Sequence, residues 1–235
     1  MKNGIAIIPL ENLALAFIPV AIVLFIMLRW SLGAGKGAVA IARMVLQLIF
    51  IGYLLNWVFS VDSSLIVIAL LCIMLLIASW IAMRPLEGWS WANYSWALLA
   101  IFVAGGLTLT LITVFVLNTE PWYAPRQVLP LAGMIFASAM NTVSIAAERF
   151  AAEQARGVTS EYARNQAYQA GLIPLMNSLL AVGLVSLPGM MTGQILSGVS
   201  PLLAVRYQIM VMCMLTGASG ISAAIYLMLA IRQKS

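Results

Sequence analysis

The polar side chains embedded in the apolar stretches of this chain are neutral. They are amides and hydroxyls, and most of them crowd into the stretches 126–147 and 171–197. The candidate path for a solute that we take from them consists of Asn141, Asn177, Ser186, Pro188, Gly189, Thr192 and Gln194. The chain has no histidine and no acid in the middle of an apolar stretch, which disfavours a proton relay, a haem ligand set and an intramembrane metalloprotease.

Asn141 and Asn177 stand near the facing ends of these two stretches. At about 1.5 Å per residue, both fall about 9 Å from the same end of a helical span, so they could face one another or a pore. The alternative is that each amide only hydrogen-bonds a neighbouring helix, an interaction worth about 0.6 kcal/mol on average in membranes. Both interpretations stay open from the sequence.

The segment 186–194, SLPGMMTGQ, interrupts the second of these stretches. Proline removes a backbone donor and glycine weakens the helical turn, so we expect a kink at Pro188 and Gly189. We favour a functional hinge that lines the path. The alternative is a packing kink in which Gly189 and Gly193 allow close helix approach.

Two other sets of residues resemble chemical sites and are set aside. A group of sulfur side chains could hold a soft metal such as Cu(I), but among 14 methionines we favour space filling. That group is Met190, Met191, Met210, Met212, Cys213 and Met214. The run Gly33–Gly37 lacks the Ser or Thr after Lys36 that a phosphate loop needs, so ATP binding in this chain is rejected. Both cysteines, Cys72 and Cys213, lie in apolar blocks, and we expect neither a disulfide nor a zinc site.

The elements that carry these residues are predicted to be membrane-spanning helices. The chain is 63% apolar and only 8% charged, too little charge to cover a water-exposed surface. Its apolar residues form continuous blocks rather than the alternating pattern of a barrel strand. We therefore predict an all-α polytopic membrane protein, one domain over residues 1–235. Its seven predicted spans are 13–30, 38–59, 64–83, 93–118, 126–147, 171–197 and 206–231.

The distribution of basic residues predicts an external N-terminus and a cytoplasmic C-terminus. This orientation leaves only Lys2, Arg126 and Arg206 outside and places the other Lys and Arg residues on the cytoplasmic side. The net charge of +5 is thereby explained by orientation, and no basic cluster with interleaved aromatics points to nucleic acid. Membrane lipid is the expected surrounding.

The predicted cytoplasmic loop 148–170 is the one sizeable polar element. Its charges alternate in sign, Gly157 can end a helix and Thr159 or Ser160 can cap the next. We interpret it as a pair of short helices that dock a soluble partner; the alternative is a solvated connector. The candidate contact residues are Glu148, Arg149, Glu153, Arg156, Gly157, Glu161 and Arg164.

The C-terminal half of the chain resembles a known family. The runs LPLAGMIFASAMNTVSIAAERF, GLIPLMNSLLAVGLVSLPGMMTGQILSG and PLLAVRYQIMVM, between Leu129 and Met212, are similar to the FetB-type permease family of ABC transporters. The resemblance implies a permease subunit of the bacterial inner (plasma) membrane. Such a subunit exports iron or another metal ion and is not itself an enzyme.

The same resemblance implies a partner that supplies energy. That partner is a separate cytoplasmic ABC ATPase subunit that holds ATP and Mg²⁺, so no cofactor is expected in this chain. We expect a homodimer of the permease bound to two ATPase subunits. The alternatives are an ATP-independent channel or facilitator and a membrane scaffold. A membrane enzyme is disfavoured, since no nucleophile and base are paired among the spans.

Overall fold

The computed structural model describes residues 8–61, 63–86, 88 and 90–232. Where the sequence predicts one domain, the chain groups into two compact units. The described residues before Ser63, with Leu196–Gly198, form the first unit, and Ser63–Ile195 with the residues from Val199 onward form the second. The predictions that rest on Lys2, on the acid at position 62 and on Lys234 concern residues outside the described ranges.

The first unit is a helical hairpin. Helices α1 (Leu10–Leu15) and α2 (Ile18–Arg29) follow one another in a single apolar stretch, and α3 (Ala34–Val58) packs on α2. Gly37 lies at their contact, where an added Cβ would be 3.0 Å from Leu24 Cδ2. A small residue is therefore what lets these two helices approach.

The second unit is a bundle built around one long central helix. Its elements are α4 (Ser64–Ala82), α5 (Trp91–Thr110) with a π-helical end (Leu111–Val116), α6 (Pro125–Ala155), α7 (Ser160–Ala181), α8 (Gly189–Leu196) and α9 (Pro201–Arg232). Helix α6 packs against α4, α5, α7 and α9. Its buried face is rich in alanine, with Ala132, Ala139 and Ala146 fully buried. Small side chains of this kind allow helix backbones to pack closely in lipid.

A polar contact ties α6 to α9 inside this bundle. The hydroxyls of Ser138 and Ser219 lie 2.7 Å apart, and Ser219 is fully buried. Such an interhelical hydrogen bond fixes the relative rotation of the two helices, because both hydroxyls would otherwise be left in an apolar interior.

The structure confirms the predicted all-α polytopic class. Within the described residues, six helical stretches are long and apolar enough to cross a membrane. They are Leu10–Arg29, Ala34–Val58, Ser64–Ala82, Trp91–Val116, Pro125–Ala155 and Pro201–Arg232. They correspond to the first five and the last of the seven predicted spans. The count of seven and the orientation stay predictions.

The predicted span 171–197 is wrong as a continuous helix. Helix α7 begins at Ser160 and ends at Ala181, and α8 begins only at Gly189. The intervening residues 182–188 turn back on the end of α7, since the Ser186 N–H donates to the carbonyl of Ala181 at 3.1 Å. Gly183, with φ +81°, adopts the left-handed conformation that ends helices. The interruption is therefore a complete break and not a kink.

The predicted loop 148–170 is mostly helix. Helix α6 continues to Ala155 and α7 starts at Ser160, so only residues 156–159 form the turn between them. The segment is rich in Ala, Glu, Gln and Arg, which favour helix. Gly157 (φ +76°) ends one helix as predicted. Thr159 caps the other, its hydroxyl accepting from the Tyr162 N–H at 3.4 Å.

Candidate functional site

An open cavity of about 680 Å³ lies in the second unit between α6, α7, α9 and the α7–α8 connection. Its polar lining residues are Ser138, Asn141, Thr142, Asn177, Ser178, Ser186 and Gln208. The thioethers of Met134, Met190 and Met212 line it too. The lining belongs wholly to the described part of the chain and contains no charged side chain. The cavity can therefore offer amide and hydroxyl groups and sulfur, but no charge to balance a bound ion.

The structure brings Asn141 and Asn177 to the same cavity, which is one of the two arrangements that the sequence left open. Asn141 lies on α6 and Asn177 on α7, and both side chains are exposed. Because both helices run further than predicted, Asn141 is about 22 Å and Asn177 about 27 Å along the helix from the turn at residues 156–159. The two amides thus differ by about one helical turn in their distance from residues 156–159, and the predicted depth of about 9 Å from the cytoplasmic membrane edge stays a prediction.

Of the remaining predicted path residues, three line the cavity and two do not. Ser186, Pro188 and Gly189 belong to its lining, whereas Thr192 and Gln194 on α8 are absent from it. The Gln194 Oε1 atom is buried without a hydrogen-bond partner among the described residues. The Thr192 hydroxyl donates to the carbonyl of Pro188 at 3.1 Å and is thereby used within its own helix.

Gln208 on α9 is a cavity residue that the sequence analysis missed. It is only 6% exposed, and its Oε1 atom has no hydrogen-bond partner in the described part of the chain. The predicted last span began at 206, and Gln208 was not among the polar residues considered. Helix α9 begins at Pro201 instead, which places Gln208 about two turns inside it. The signal available in the sequence was a glutamine close to the start of a predicted apolar span.

Gly171 on α7 sets the distance between α6 and α7 where they line the cavity. An added Cβ there would lie 2.9 Å from the Thr142 carbonyl oxygen and 3.2 Å from Ala146 Cβ. The nearest obstacle is backbone, which cannot rotate away as a side chain can. Gly171 therefore permits a backbone contact between these helices that no other residue would allow.

The predicted hinge at Pro188 and Gly189 has a different role in the structure. The carbonyl of Pro188 accepts the Thr192 N–H at 2.9 Å, so Pro188 directly precedes α8 and does not interrupt a helix. An added Cβ at Gly189 would meet nothing within 4 Å. The position in the break that requires glycine is Gly183, because its positive φ disfavours other residues.

We expect the break to depend on Gly183 and hardly on Pro188. Gly183→Val should destabilise the protein by about 1–2 kcal/mol, because a β-branched residue is forced into the left-handed region. Pro188→Ala should change stability by less than about 0.5 kcal/mol, since it retains the carbonyl that accepts from Thr192. Thermal unfolding of the purified variants in one detergent checks both, and a larger effect of Pro188→Ala would restore the hinge hypothesis.

The predicted coupling residues gather around the turn between α6 and α7. Glu153 is 3% exposed, and its Oε1 atom lies 2.6 Å from Arg149 Nη2 and 3.1 Å from Arg156 Nη1. Glu161 and Arg164 form a separate pair at 3.5 Å on the first turns of α7. Glu148 is exposed on α6. The carboxylate of Glu153 thus holds two partly exposed guanidinium groups at the end of α6.

A second cavity of about 670 Å³ adjoins the first and is almost entirely apolar. The two share the lining residues Val182, Gln208 and Met212. Met191 and Cys213, from the sulfur group considered above, line this second cavity. The described residues contain no group of three or more His, Cys, Asp or Glu side chains placed to hold a metal.

The long apolar helices and the polar cavity among them define a multi-pass bacterial membrane protein. Its sequence matches the model described as Uncharacterised protein family (UPF0014) over residues 10–162 and 152–234. The chain belongs to the UPF0014 family. The match spans nearly all of the described residues, including every helix that lines the cavity.

The curated relatives of this chain include bacterial and plant proteins. It is 38% identical to the UPF0014 membrane protein slr1647 of Synechocystis sp. over 72% of this chain and 71% of that one. It is 34% identical to the probable iron export permease protein FetB of Escherichia coli, over 92% of this chain and 88% of the relative. It is 29% identical to the protein ALUMINUM SENSITIVE 3 of Arabidopsis thaliana, over 89% of this chain and 81% of that one. No solved structure matches the chain.

Proposed function

We propose that this chain is the membrane-spanning permease subunit of an ABC transporter that exports iron or another metal ion. The observation that carries the proposal is the polar cavity whose two walls, α6 and α7, continue directly into the charged turn at residues 156–159. A cargo site and a docking site for an energy source would thus share the same pair of helices. The name of the relative FetB, a probable iron export permease, supports this choice of cargo.

Export through the second unit would begin at the cavity. Its amides and hydroxyls replace part of the solvent around a polar cargo, and the thioethers and aliphatic side chains around them keep the surroundings apolar. The break between α7 and α8 is typical of transporter helices that line a cavity, where backbone freed from helical bonds is tolerated. Rocking of α7 against α6 and α9 would open the cavity from alternate sides.

Docking of the ATPase would use the turn between α6 and α7. The exposed side chains of Arg149, Arg156 and Glu161 project there from two helix ends, and the buried Glu153 fixes two of them. We place this turn in the cytoplasm by the predicted orientation of the whole chain, which puts most Lys and Arg residues on that side. The partner would hold ATP and Mg²⁺, and two copies of the permease would bind two ATPase subunits.

The proposal is tested by reconstitution. The permease is co-expressed with a candidate soluble ABC ATPase from the same organism, purified through a tag on the permease alone, and placed in proteoliposomes with iron and ATP outside. Co-purification of the ATPase and ATP-dependent accumulation of iron inside the vesicles are expected, with ATP omission and a hydrolysis-dead ATPase as controls. Iron movement that ignores ATP would indicate a facilitator, and a stable complex without any iron movement would indicate a scaffold.

Removing the charge of Glu153 should weaken the binding of the ATPase to the permease. In Glu153→Gln the charge that holds Arg149 and Arg156 is lost, and we expect ATPase binding to weaken about tenfold, the equivalent of about 1.4 kcal/mol. Binding of the purified ATPase to nanodisc-embedded permease measures it directly. The matched control is Glu120→Gln, because this exposed carboxylate lies near the other end of α6, away from the turn. Equal affinity of wild type and Glu153→Gln would remove this residue from the docking surface.

A further inference from the structure

We propose that the cavity takes a metal ion with its own ligand shell still attached, and that Gln208 is the fixed acceptor that binds this shell. The inference rests on the proposed function and specifies the form of its cargo. Its starting point is the side-chain carbonyl of Gln208, buried at the junction of the two cavities with no partner among the described residues.

A buried acceptor such as the side-chain oxygen of Gln208 is expected to receive a hydrogen bond from a donor. Burying a polar group without a hydrogen bond is costly, and each exception in a folded protein needs an explanation. The Gln208 oxygen has almost no accessible surface, although the residue lines the cavity. Rotation of the terminal amide would turn this oxygen toward the cavity, where a donor group on the cargo would satisfy it.

The rest of the lining argues against a bare ion. Divalent metals stripped of water are held by carboxylates, thiolates or imidazoles, which compensate their charge. The described lining offers only amides, hydroxyls and thioethers around the ion, so a naked divalent charge would be left uncompensated in apolar surroundings. A shell of bound ligands spreads that charge and presents hydrogen-bond donors.

The size of the cavity agrees with a cargo that keeps its shell. A shell of about six waters occupies roughly 180 Å³ at the volume water takes in the liquid. The cavity measures about 680 Å³, enough for such a complex or for a somewhat larger organic one. Asn141 and Asn177 face the same space from α6 and α7, so three amides from three helices can contact one shell.

The first test uses an ion complex that cannot lose its ligands. Permease in lipid nanodiscs is incubated with radioactive Fe²⁺ and increasing hexaamminecobalt(III), whose ammonia ligands do not exchange but donate hydrogen bonds as water does. Competition for Fe²⁺ is expected. A second arm measures binding of the neutral iron(III) tris(kojate) complex. Competition by the ammine alone identifies a water shell, and binding of the kojate alone identifies an organic one.

Substitutions in the cavity distinguish contact with the ligand shell of the metal ion from direct coordination of the ion itself. Gln208→Leu should lower affinity for the bound complex about tenfold, the effect of one lost hydrogen bond to a charged group. Thr216→Val is the matched control, since its hydroxyl already donates to the Met212 carbonyl at 2.7 Å. Met190→Leu and Met212→Leu should leave affinity unchanged, because thioethers would matter only to a stripped ion.

The visible spectrum of bound Co²⁺ gives an independent result. It should remain that of the hydrated ion. Fe²⁺ binding without competition by either complex, with a new sulfur-to-cobalt band that Met212→Leu removes, would overturn this inference and leave the proposed export function standing. If the permease binds no form of iron and its proteoliposomes move none, the proposed cargo itself is wrong.

Discussion

Gly171→Ala is expected to destabilise the protein by about 1–3 kcal/mol and to reduce transport strongly, although it adds a single methyl group. The new Cβ would lie 2.9 Å from the backbone oxygen of Thr142, a separation that real Cβ contacts essentially never show. Relief requires α7 to move away from α6. Asn141 and Asn177 sit on these same two helices, so the shift would also widen the gap between the amides that line the cavity.

A series of glycine substitutions provides the controls. An added Cβ at Gly217 on α9 meets nothing within 4 Å, so Gly217→Ala should be neutral or slightly stabilising through helix propensity. At Gly105 on α5 the Cβ would be 3.0 Å from Phe136 Cε1, a side-chain atom that can shift, and an intermediate loss is expected. Thermal unfolding in one detergent and transport in proteoliposomes should rank the variants in this order, and a stable, active Gly171→Ala would disprove the close contact.

Removing both amides should nearly abolish transport while the protein still folds. In the double variant Asn141→Leu with Asn177→Leu, two exposed cavity amides are replaced by apolar groups of similar size. We expect transport to fall about 100-fold, corresponding to the loss of about two hydrogen bonds to a charged or polar cargo. Initial rates of ATP-dependent iron uptake into proteoliposomes measure the effect, normalised to inserted permease.

Ser178 supplies the matched control for the amides. Its side chain lines the same cavity, but its hydroxyl donates to the Pro174 carbonyl at 2.9 Å within α7. Ser178→Ala should therefore leave the transport rate within about twofold of wild type, because that hydroxyl is not free to contact cargo. If the double amide variant transports as well as Ser178→Ala, the cavity is a packing defect and the path lies elsewhere.

The class of fold and the two central amides could be predicted from the sequence because they depend on local properties. Continuous apolar blocks in a chain with few charges leave helices in lipid as the solution, and this does not depend on which helices touch. Asn141 and Asn177 were paired by their equal distances from the ends of two consecutive predicted spans, although the helices that carry them extend beyond those ends to the turn at residues 156–159.

Gln208 and Gly171 could not be predicted because their roles depend on partners distant in sequence. The unpaired state of the Gln208 oxygen becomes visible only when α9 is packed beside the α7–α8 connection. Gly171 resembles any helix glycine until the Thr142 carbonyl is placed against it. The prediction for Pro188 was wrong for a local reason. Proline was expected to kink a continuous helix, but α7 already ends at Ala181, before Pro188 is reached.

The length of α6 has a mechanical consequence. Its 31 residues make a rod of about 46 Å, longer than the roughly 30 Å of a bilayer's hydrocarbon core. If this rod pivots near Asn141, a tilt of about 10° carries the turn, about 22 Å away, through about 4 Å. Side chains within about 5 Å of the pivot then move by less than about 1 Å. A large displacement of the turn is therefore accompanied by only a small displacement of the side chains around the two amides.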